Sequence, residues 1–183
     1  EINSLTNIPK QIDQNKFNKI CKLIINCKGN VVLMGIGKSG NIAAKVSSTL
    51  SSTGTSSFFL NAAEASHGDL GSLKKNDILI IFSFSGETEE IIKIFPSCES
   101  KVNAIVSITG NEESFIAKGS YLNLHLEISE EACPLNLAPT TSSSAMLILG
   151  DALAIAILEA RKFSPEDFAK NHPGGKLGKS LLK

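Results

Sequence analysis

The chain has no excess of charge of either sign: eighteen basic residues stand against eighteen acidic ones over 183 residues. No basic stripe breaks that balance, so the electrostatic footprint of a nucleic-acid-binding or anionic-membrane-binding protein is missing, and neither partner is expected. Cysteine is scarce and unpatterned. Cys21, Cys27, Cys98 and Cys133 form no C-x-x-C pair and have no histidine at zinc-ligand spacing, which leaves reduced, mostly buried thiols in a cytoplasmic protein as the expectation. A long hydrophobic run is also lacking. The most apolar stretch, Ala145 to Leu158, contains Gly150 and Asp151 and is too short for a membrane span, so it is read as a buried helix. The amino end shows no signal peptide, and a start at Glu1 rather than methionine is what a trimmed chain would show. Internal repeats and low-complexity tracts are absent. What is present is 42% hydrophobic content, enough for one sizeable domain whose core needs neither disulfides nor metal.

Organisation follows from the spacing of the apolar residues. Ile8, Ile12, Phe17, Ile20, Leu23 and Ile24 recur at roughly helical intervals, so the first 28 residues are expected to form one or two amphipathic helices covering a face or a subunit contact. Beyond them, Val31–Met34, Ser57–Leu60, Ile78–Phe82, Ala104–Ile108 and Tyr121–Ile128 are short apolar or alternating runs. Segments with helical spacing, such as Asn41–Ser52 and Glu87–Phe95, separate them. This rhythm predicts an α/β fold, a three-layer α/β/α sandwich with a five-stranded, mainly parallel sheet of the flavodoxin-like or Rossmann-like kind. Such folds bind ligands beyond the carboxyl ends of their strands. Thr140 to Ser144 offers a choice of N-caps for a long helix running to about Lys162. Because that helix is apolar almost all the way round, it is either central to the core or half of a subunit interface, and an oligomer is expected. Ser164-Pro165-Glu166-Asp167 opens a short helix that stops near Asn171–Gly175. Lys176–Lys183 reads as a tail or the start of a linker. The domain is therefore set at residues 1–171, with 172–183 as a separate carboxyl-terminal segment.

The turns at the carboxyl ends of the strands carry the chemistry. Ser83-Phe84-Ser85-Gly86-Glu87-Thr88 follows a buried strand and opens a helix. Free N–H groups and the positive end of a helix dipole attract phosphate there, with Ser83, Ser85 and Thr88 able to complete its hydrogen bonds. An ordinary capped turn needs one hydroxyl and three are offered, so the anion reading is preferred. Gly35-Ile36-Gly37-Lys38-Ser39-Gly40 matches G-x-G-x-x-G, yet Leu60-Asn61-Ala62 stands where the ribose-binding acid of a dinucleotide fold should be. It is also too short for a triphosphate loop. A glycine turn presenting Lys38 and Ser39 to a smaller phosphate or sugar oxyanion remains. Ser85 lacks the glycine two residues earlier that a nucleophile elbow requires, which argues against acyl hydrolysis. The acidic pairs Glu89-Glu90 and Glu130-Glu131 lie where a general acid or base is needed, though such glutamates are as often solvated surface charges. Of the three histidines, His125 reads as structural, while His67 and His172 sit in glycine-flanked turns suited to a proton shuttle.

Taken together, the two turns above, Ala63-Glu64-Ala65-Ser66-His67-Gly68-Asp69-Leu70-Gly71, Glu131-Ala132-Cys133-Pro134-Leu135-Asn136-Leu137-Ala138-Pro139-Thr140 and His172-Pro173-Gly174-Gly175-Lys176-Leu177-Gly178 resemble the sugar isomerase (SIS) domain of D-arabinose 5-phosphate isomerases. The resemblance covers nearly the whole chain. It implies interconversion of D-ribulose 5-phosphate and D-arabinose 5-phosphate, the entry to the 3-deoxy-D-manno-octulosonate (KDO) of lipopolysaccharide. It implies Lys38, Glu90, Glu131 and His172 as active-site residues, with His67, Gly54 and Thr55 contacting ligand. It also implies tetramers with sites between subunits, which leaves open whether His67 and His172 come from the same chain or a neighbour. Many relatives continue into a tandem CBS pair, and this sequence ends where that linker would begin; a natural short form and a trimmed chain remain open. Several relatives carry a histidine linked with zinc where this chain has Asn61, so no metal is expected.

The expected reaction passes a proton between C1 and C2 through a cis-enediol while a second proton moves between the two oxygens, with no redox cofactor. A positioned base and a polarised carbonyl oxygen are worth about 10² to 10⁴-fold each in rate. Ser39, Ser83, Ser85 and Thr88 are assigned to phosphate and Lys38 to the phosphate or enediolate. Glu131 or His172 is preferred as carbon base and Glu90 for oxygen, a raised pKa being what a glutamate in a desolvated site can have and a base wants. Two other readings stand beside this one: an isomerase of hexulose 6-phosphate or sedoheptulose 7-phosphate, and a non-catalytic SIS domain that senses sugar phosphates.

Overall fold

A computed structural model describes residues 1–181, and its centre is a sheet of five strands ordered β2-β1-β3-β4-β5. The strands are β1 Val31–Gly35, β2 Ser57–Asn61, β3 Ile78–Phe82, β4 Ala104–Thr109 and β5 Leu122–His125. Every neighbouring pair is parallel, so the sheet is wholly rather than mainly parallel. Residues of β1 and β3 are buried throughout, the continuous apolar run expected of strands covered on both faces. Alternate residues divide between the faces. Val31, Leu33, Ile78, Ile80 and Phe82 belong to one core, and Val32, Met34, Leu79 and Ile81 to the other.

The first face is covered by α1 Ile2–Gln11, α2 Gln14–Ile25, α3 Gly37–Ser52 and α7 Thr141–Ala160. The second carries α4 Ala62–Ala65, α5 Glu89–Lys101 and α6 Phe115–Gly119. The amino-terminal segment is thus two helices. Asp13 separates them, its carboxylate accepting the N–H groups of Asn15 and Lys16 to cap α2.

Helix α7 runs twenty residues and packs against α1, α2 and α3, burying Ala145, Met146, Leu149, Leu153, Ala154 and Ile157. The sequence predicts a helix running to about Lys162, with only Ala145–Leu158 as its apolar segment, which is too short to span a bilayer. Among the described residues it is the one helix long and apolar enough to do so, with a mean hydropathy of 1.7 and half of that stretch buried. Its outer side leaves Ile148 at 43% and Ile155 at 53% exposure, the apolar surface that suggested a subunit contact.

Four local differences from the sequence reading have physical reasons. Helix α3 starts at Gly37, not Asn41, because the glycine turn is itself the first helical turn. Strand β5 ends at His125; Leu126 still donates its N–H to the Thr109 carbonyl at 2.8 Å, after which the chain leaves the sheet. Helices α4 and α6 and a 3-10 turn at Asp69–Ser72 are too short to show a hydrophobic period. Finally, α8 Pro165–Asn171 is followed by α9, Lys176–Leu181, where a tail was expected; Leu182 and Lys183 of that tail lie outside the described residues.

Candidate active site

In this strand order the chain direction switches between β1 and β3, so a crevice opens beyond their carboxyl ends. The turn after β1 is tight because Gly35 and Gly40 meet backbone to backbone: a Cβ on Gly35 would lie 3.0 Å from Gly40 Cα. Gly37 has φ +59°, which glycine adopts without strain. The turn after β3 is cross-braced. Ser83 and Thr88 share a hydroxyl hydrogen bond of 2.8 Å, and the Gly86 N–H donates to Ser83 Oγ at 3.2 Å. Gly86 has φ +68°, and a Cβ there would run into the Ser114 side chain. Glu87 anchors the turn from outside, its carboxylate accepting the Phe115 N–H at 2.8 Å.

Because Thr88 shares its hydroxyl with Ser83, it makes no side-chain cap on α5. The N–H groups of Glu89 and Glu90 have no partner among the described residues. Ser85 is exposed, its Oγ accepting only the Glu87 N–H at 3.2 Å. The helix start is therefore capped by none of its own hydroxyls. It faces a cavity of ≈ 430 Å³ lined by Ser39, Ser85 and Thr88 on one side and by Glu131, Asn136 and Ser142 on the other.

The far wall is the loop from Leu126 to Thr140, and Glu131 organises it. Its Oε2 accepts the Thr140 N–H at 2.8 Å, the Ser142 N–H at 3.1 Å and the Thr140 hydroxyl at 3.2 Å; Oε1 accepts the Ser142 hydroxyl. The Glu131 N–H donates to Asn136 Oδ1 at 2.6 Å, with Asn136 at φ 52°, and the Ala132 N–H donates to Thr140 Oγ1 at 2.8 Å. The N-cap of α7 is thus supplied by a carboxylate nine residues upstream, not by the run Thr140–Ser144, whose hydroxyls serve partly as donors to it.

Glu131 does not have the raised pKa that a desolvated glutamate base would have. Burial pushes the carboxyl up, but hydrogen bonds from the Ser142 hydroxyl, the Thr140 and Ser142 N–H groups and the Thr140 hydroxyl outweigh it and hold the group below its ordinary value. In the same loop the N–H groups of Ala138, Leu137, Leu135 and Asn136 hold the Cys133 thiol below its usual range, whereas burial raises Cys98 to about 11. Cys21 and Cys98 are buried and Cys27 and Cys133 half-buried, all as free thiols.

The structure therefore brings Ser39, Ser85, Thr88 and Glu131 around one cavity and places Ser83 beneath it, 2% exposed. Lys38 is exposed at the same end of the sheet and lines a neighbouring cavity of ≈ 440 Å³ with Asn41 and Asn61. Glu90 is exposed on the first turn of α5, and His67 is exposed in the turn after α4. Asn61 caps α4 by accepting the Ala63 N–H at 2.9 Å. No group of three or more metal-ligating side chains exists among the described residues.

Gly54, Thr55 and His172 stand elsewhere. Gly54, at φ +89°, and the 3%-exposed Thr55 lie between the end of α3 and the start of β2, at the amino edge of the sheet. Sixteen residues of α3 separate that edge from Gly37 by about 24 Å. The Phe163 ring covers Gly54, where a Cβ would lie 2.5 Å from it, and Asn171 donates to the Ser52 carbonyl at 3.3 Å, which docks His172 at this edge as well. One chain thus separates these three residues from the cavity. Sequence reasoning missed Ser142, Thr140 and Asn136 as partners of Glu131; the only signal was a run of hydroxyls longer than one cap needs.

The SIS domain family model matches residues 23–156. The chain is 51% identical over 98% of its length to the arabinose 5-phosphate isomerase KpsF of Escherichia coli O6:H1, of which it covers 55%. It is 52% identical over 91% of its length to the arabinose 5-phosphate isomerase KdsD of Pseudomonas aeruginosa, covering 51%. It thus spans about half the length of the curated relatives it matches. Among solved structures, an E. coli CFT073 protein in complex with arabinose 5-phosphate superposes with a TM-score of 0.88 at 42% identity, over 93% of this chain and 92% of that one.

Proposed function

The chain belongs to the SIS domain family, and on that premise we propose that it is an aldose–ketose isomerase interconverting D-ribulose 5-phosphate and D-arabinose 5-phosphate, on the route to KDO. The observation that carries the reading is the uncapped start of α5, where two free N–H groups and the hydroxyls of Ser85, Thr88 and Ser39 face a cavity whose opposite wall presents Glu131. A dianionic phosphate is the ligand such an end attracts, and the dipole of a thirteen-residue helix adds to the hydrogen bonds. Ser83 contributes by bracing Thr88.

With phosphate there, the sugar lies across the cavity towards Glu131. The C1 proton leaves as the C2 carbonyl oxygen takes a hydrogen, giving a cis-enediol; returning a proton to C2 and removing one from the C1 oxygen completes the aldose. Electrons stay within the substrate, so no cofactor is required. Glu131, ionised and held by the N–H and hydroxyl groups of Thr140 and Ser142, is suited to orienting sugar hydroxyls and is a weak base. Carbon proton transfer falls to His172, with Glu90 acting at oxygen and Lys38 supplying positive charge to the enediolate.

His172, Gly54 and Thr55 reach a cavity only if a second copy brings its amino edge against this carboxyl edge. A homo-oligomer, a tetramer in our reading, follows from that requirement, with His67 at the same junction and the protein working in the cytoplasm. Residues 1–171 form the body and the segment from His172 delivers the imidazole. The test is a coupled assay with ribulose 5-phosphate beside hexulose 6-phosphate and sedoheptulose 7-phosphate. Turnover of the pentose ester alone is expected. Faster turnover of a longer ketose reassigns the substrate, and tight binding of all three without turnover makes the domain a sensor.

A further inference from the structure

The carboxyl-terminal end of α8 holds an arrangement that the isomerase reading does not itself require. His172 follows the helix at φ −127°, ψ 53°, and its Nδ1 lies 2.8 Å from the Phe168 carbonyl oxygen. The same residue supports the ring from its face: the Phe168 and His172 rings stack with centroids 3.9 Å apart and planes 15° from parallel. Behind them, Ser164 and Asp167 form a reciprocal capping box and Asn171 is tied to the Ser52 carbonyl. Gly178 lies against the His172 carbonyl, where a Cβ would not fit.

A carbonyl oxygen only accepts, so the hydrogen in the 2.8 Å contact resides on Nδ1. The neutral imidazole then carries its lone pair on Nε2. We propose that Phe168 is a positioning residue for His172: its carbonyl selects the Nδ1–H tautomer, its ring sets the imidazole plane, and Nε2 is thereby the atom that takes a proton from the substrate and returns it. This rests on the isomerase reading for the identity of the proton's owner, and on the structure alone for the tautomer. One residue contributes both supports, so its two effects separate experimentally: the carbonyl persists in any substitution and the ring does not.

The experiment is ring nitrogen NMR of the whole protein labelled at histidine, in which only three imidazoles contribute and His172→Ala identifies the third. In its neutral form, His172 in the unmodified protein is expected to show a protonated Nδ1 and an unprotonated Nε2. Phe168→Ala frees the ring plane, and kcat is expected to fall by up to about 10²-fold with KM unchanged; Phe168→Tyr, which keeps a stacking ring, restores it. If Phe168→Ala does not fold, Phe168→Leu replaces it, since leucine fills space without stacking. A protonated Nε2 in the unmodified protein overturns the proposal, as does a Leu or Ala variant with unchanged kcat, or a loss of kcat that Tyr does not restore. The nitrogen spectrum is read whether or not ribulose 5-phosphate turns over, so failure of the isomerase reading shows in the assay and failure of this inference in the spectrum.

Discussion

At the carboxyl edge of the sheet, polar groups are held by other polar groups: Ser83 by Thr88, Glu131 by Thr140 and Ser142, Glu87 by the Phe115 N–H. At the amino edge aromatic rings join the hydrogen bonds: Phe163 covers Gly54, and Phe168 stacks on His172 beside the contact of its own carbonyl with Nδ1, while Thr55 Oγ1 is buried with no partner among the described residues. The first arrangement is braced within one chain, with the Thr141 hydroxyl at the start of α7 the buried group there without a partner among the described residues, and in the proposed reading it receives an anion. The second also contains an unpartnered buried hydroxyl, beside the stacked imidazole, and in the proposed reading it is half of a site whose other half a second copy supplies. On the proposed reading the two edges serve different neighbours, a ligand in one case and a second copy in the other.

The sharpest way to break this comparison is to remove one edge at a time. Glu131→Ala strips α7 of its cap and the cavity of its carboxylate, and kcat is expected to fall about 10²- to 10⁴-fold; a Glu131→Ala enzyme with normal kcat would reduce the far wall to scaffolding. Next in size is a mixing test. Ser85→Ala with Glu131→Ala on one chain and His172→Ala on another each inactivate alone, and co-refolding them is expected to recover activity through hybrid sites. No recovery would mean that the two edges never meet.

Smaller effects sharpen it. Gly54→Ala pushes a methyl into Phe163 and is expected to cost about 1–3 kcal/mol of stability by urea unfolding, through overpacking and a φ that alanine resists. Lost stability with kcat unchanged in the folded fraction would remove position 54 from the ligand's surroundings. Acid titration comes next. Glu131 has a folded-state pKa below its ordinary 4.5, so its stabilising contribution is fully present above that value and is lost as the pH falls through the lower folded one. Glu131→Gln should flatten this part of the unfolding curve, measured between roughly pH 5 and 2. Smallest is the Lys45–Asp151 pair, 2.6 Å long but with side chains 49% and 37% exposed. Lys45→Met is expected to change stability by less than about 1 kcal/mol.

The carboxyl edge was largely legible from the amino acids. Ile78–Phe82 reads as a buried parallel strand because every residue is apolar, and the hydroxyl-rich turn behind it follows at once. Glu131 was named, but its role was not legible, because its partners Thr140 and Ser142 were already explained locally as caps of their own helix. A helix cap taken from nine residues away across a loop leaves no periodic mark. The amino edge was legible only as names: nothing in Gly54, Thr55 or His172 says which end of the sheet they occupy. That follows from the length of α3 and α7 and from where Asn171 docks, properties of the assembled fold. The short helices α4 and α6 stayed hidden because four or five residues complete barely one turn.

Helix α8 buries a single residue, Ala169, and at seven residues it is too short to persist without docking. The imidazole is therefore carried by a segment whose amide hydrogens should exchange with deuterium well before those of α7. Protection at Phe168–His172 that rises with protein concentration would mean that assembly finishes what a single chain only begins.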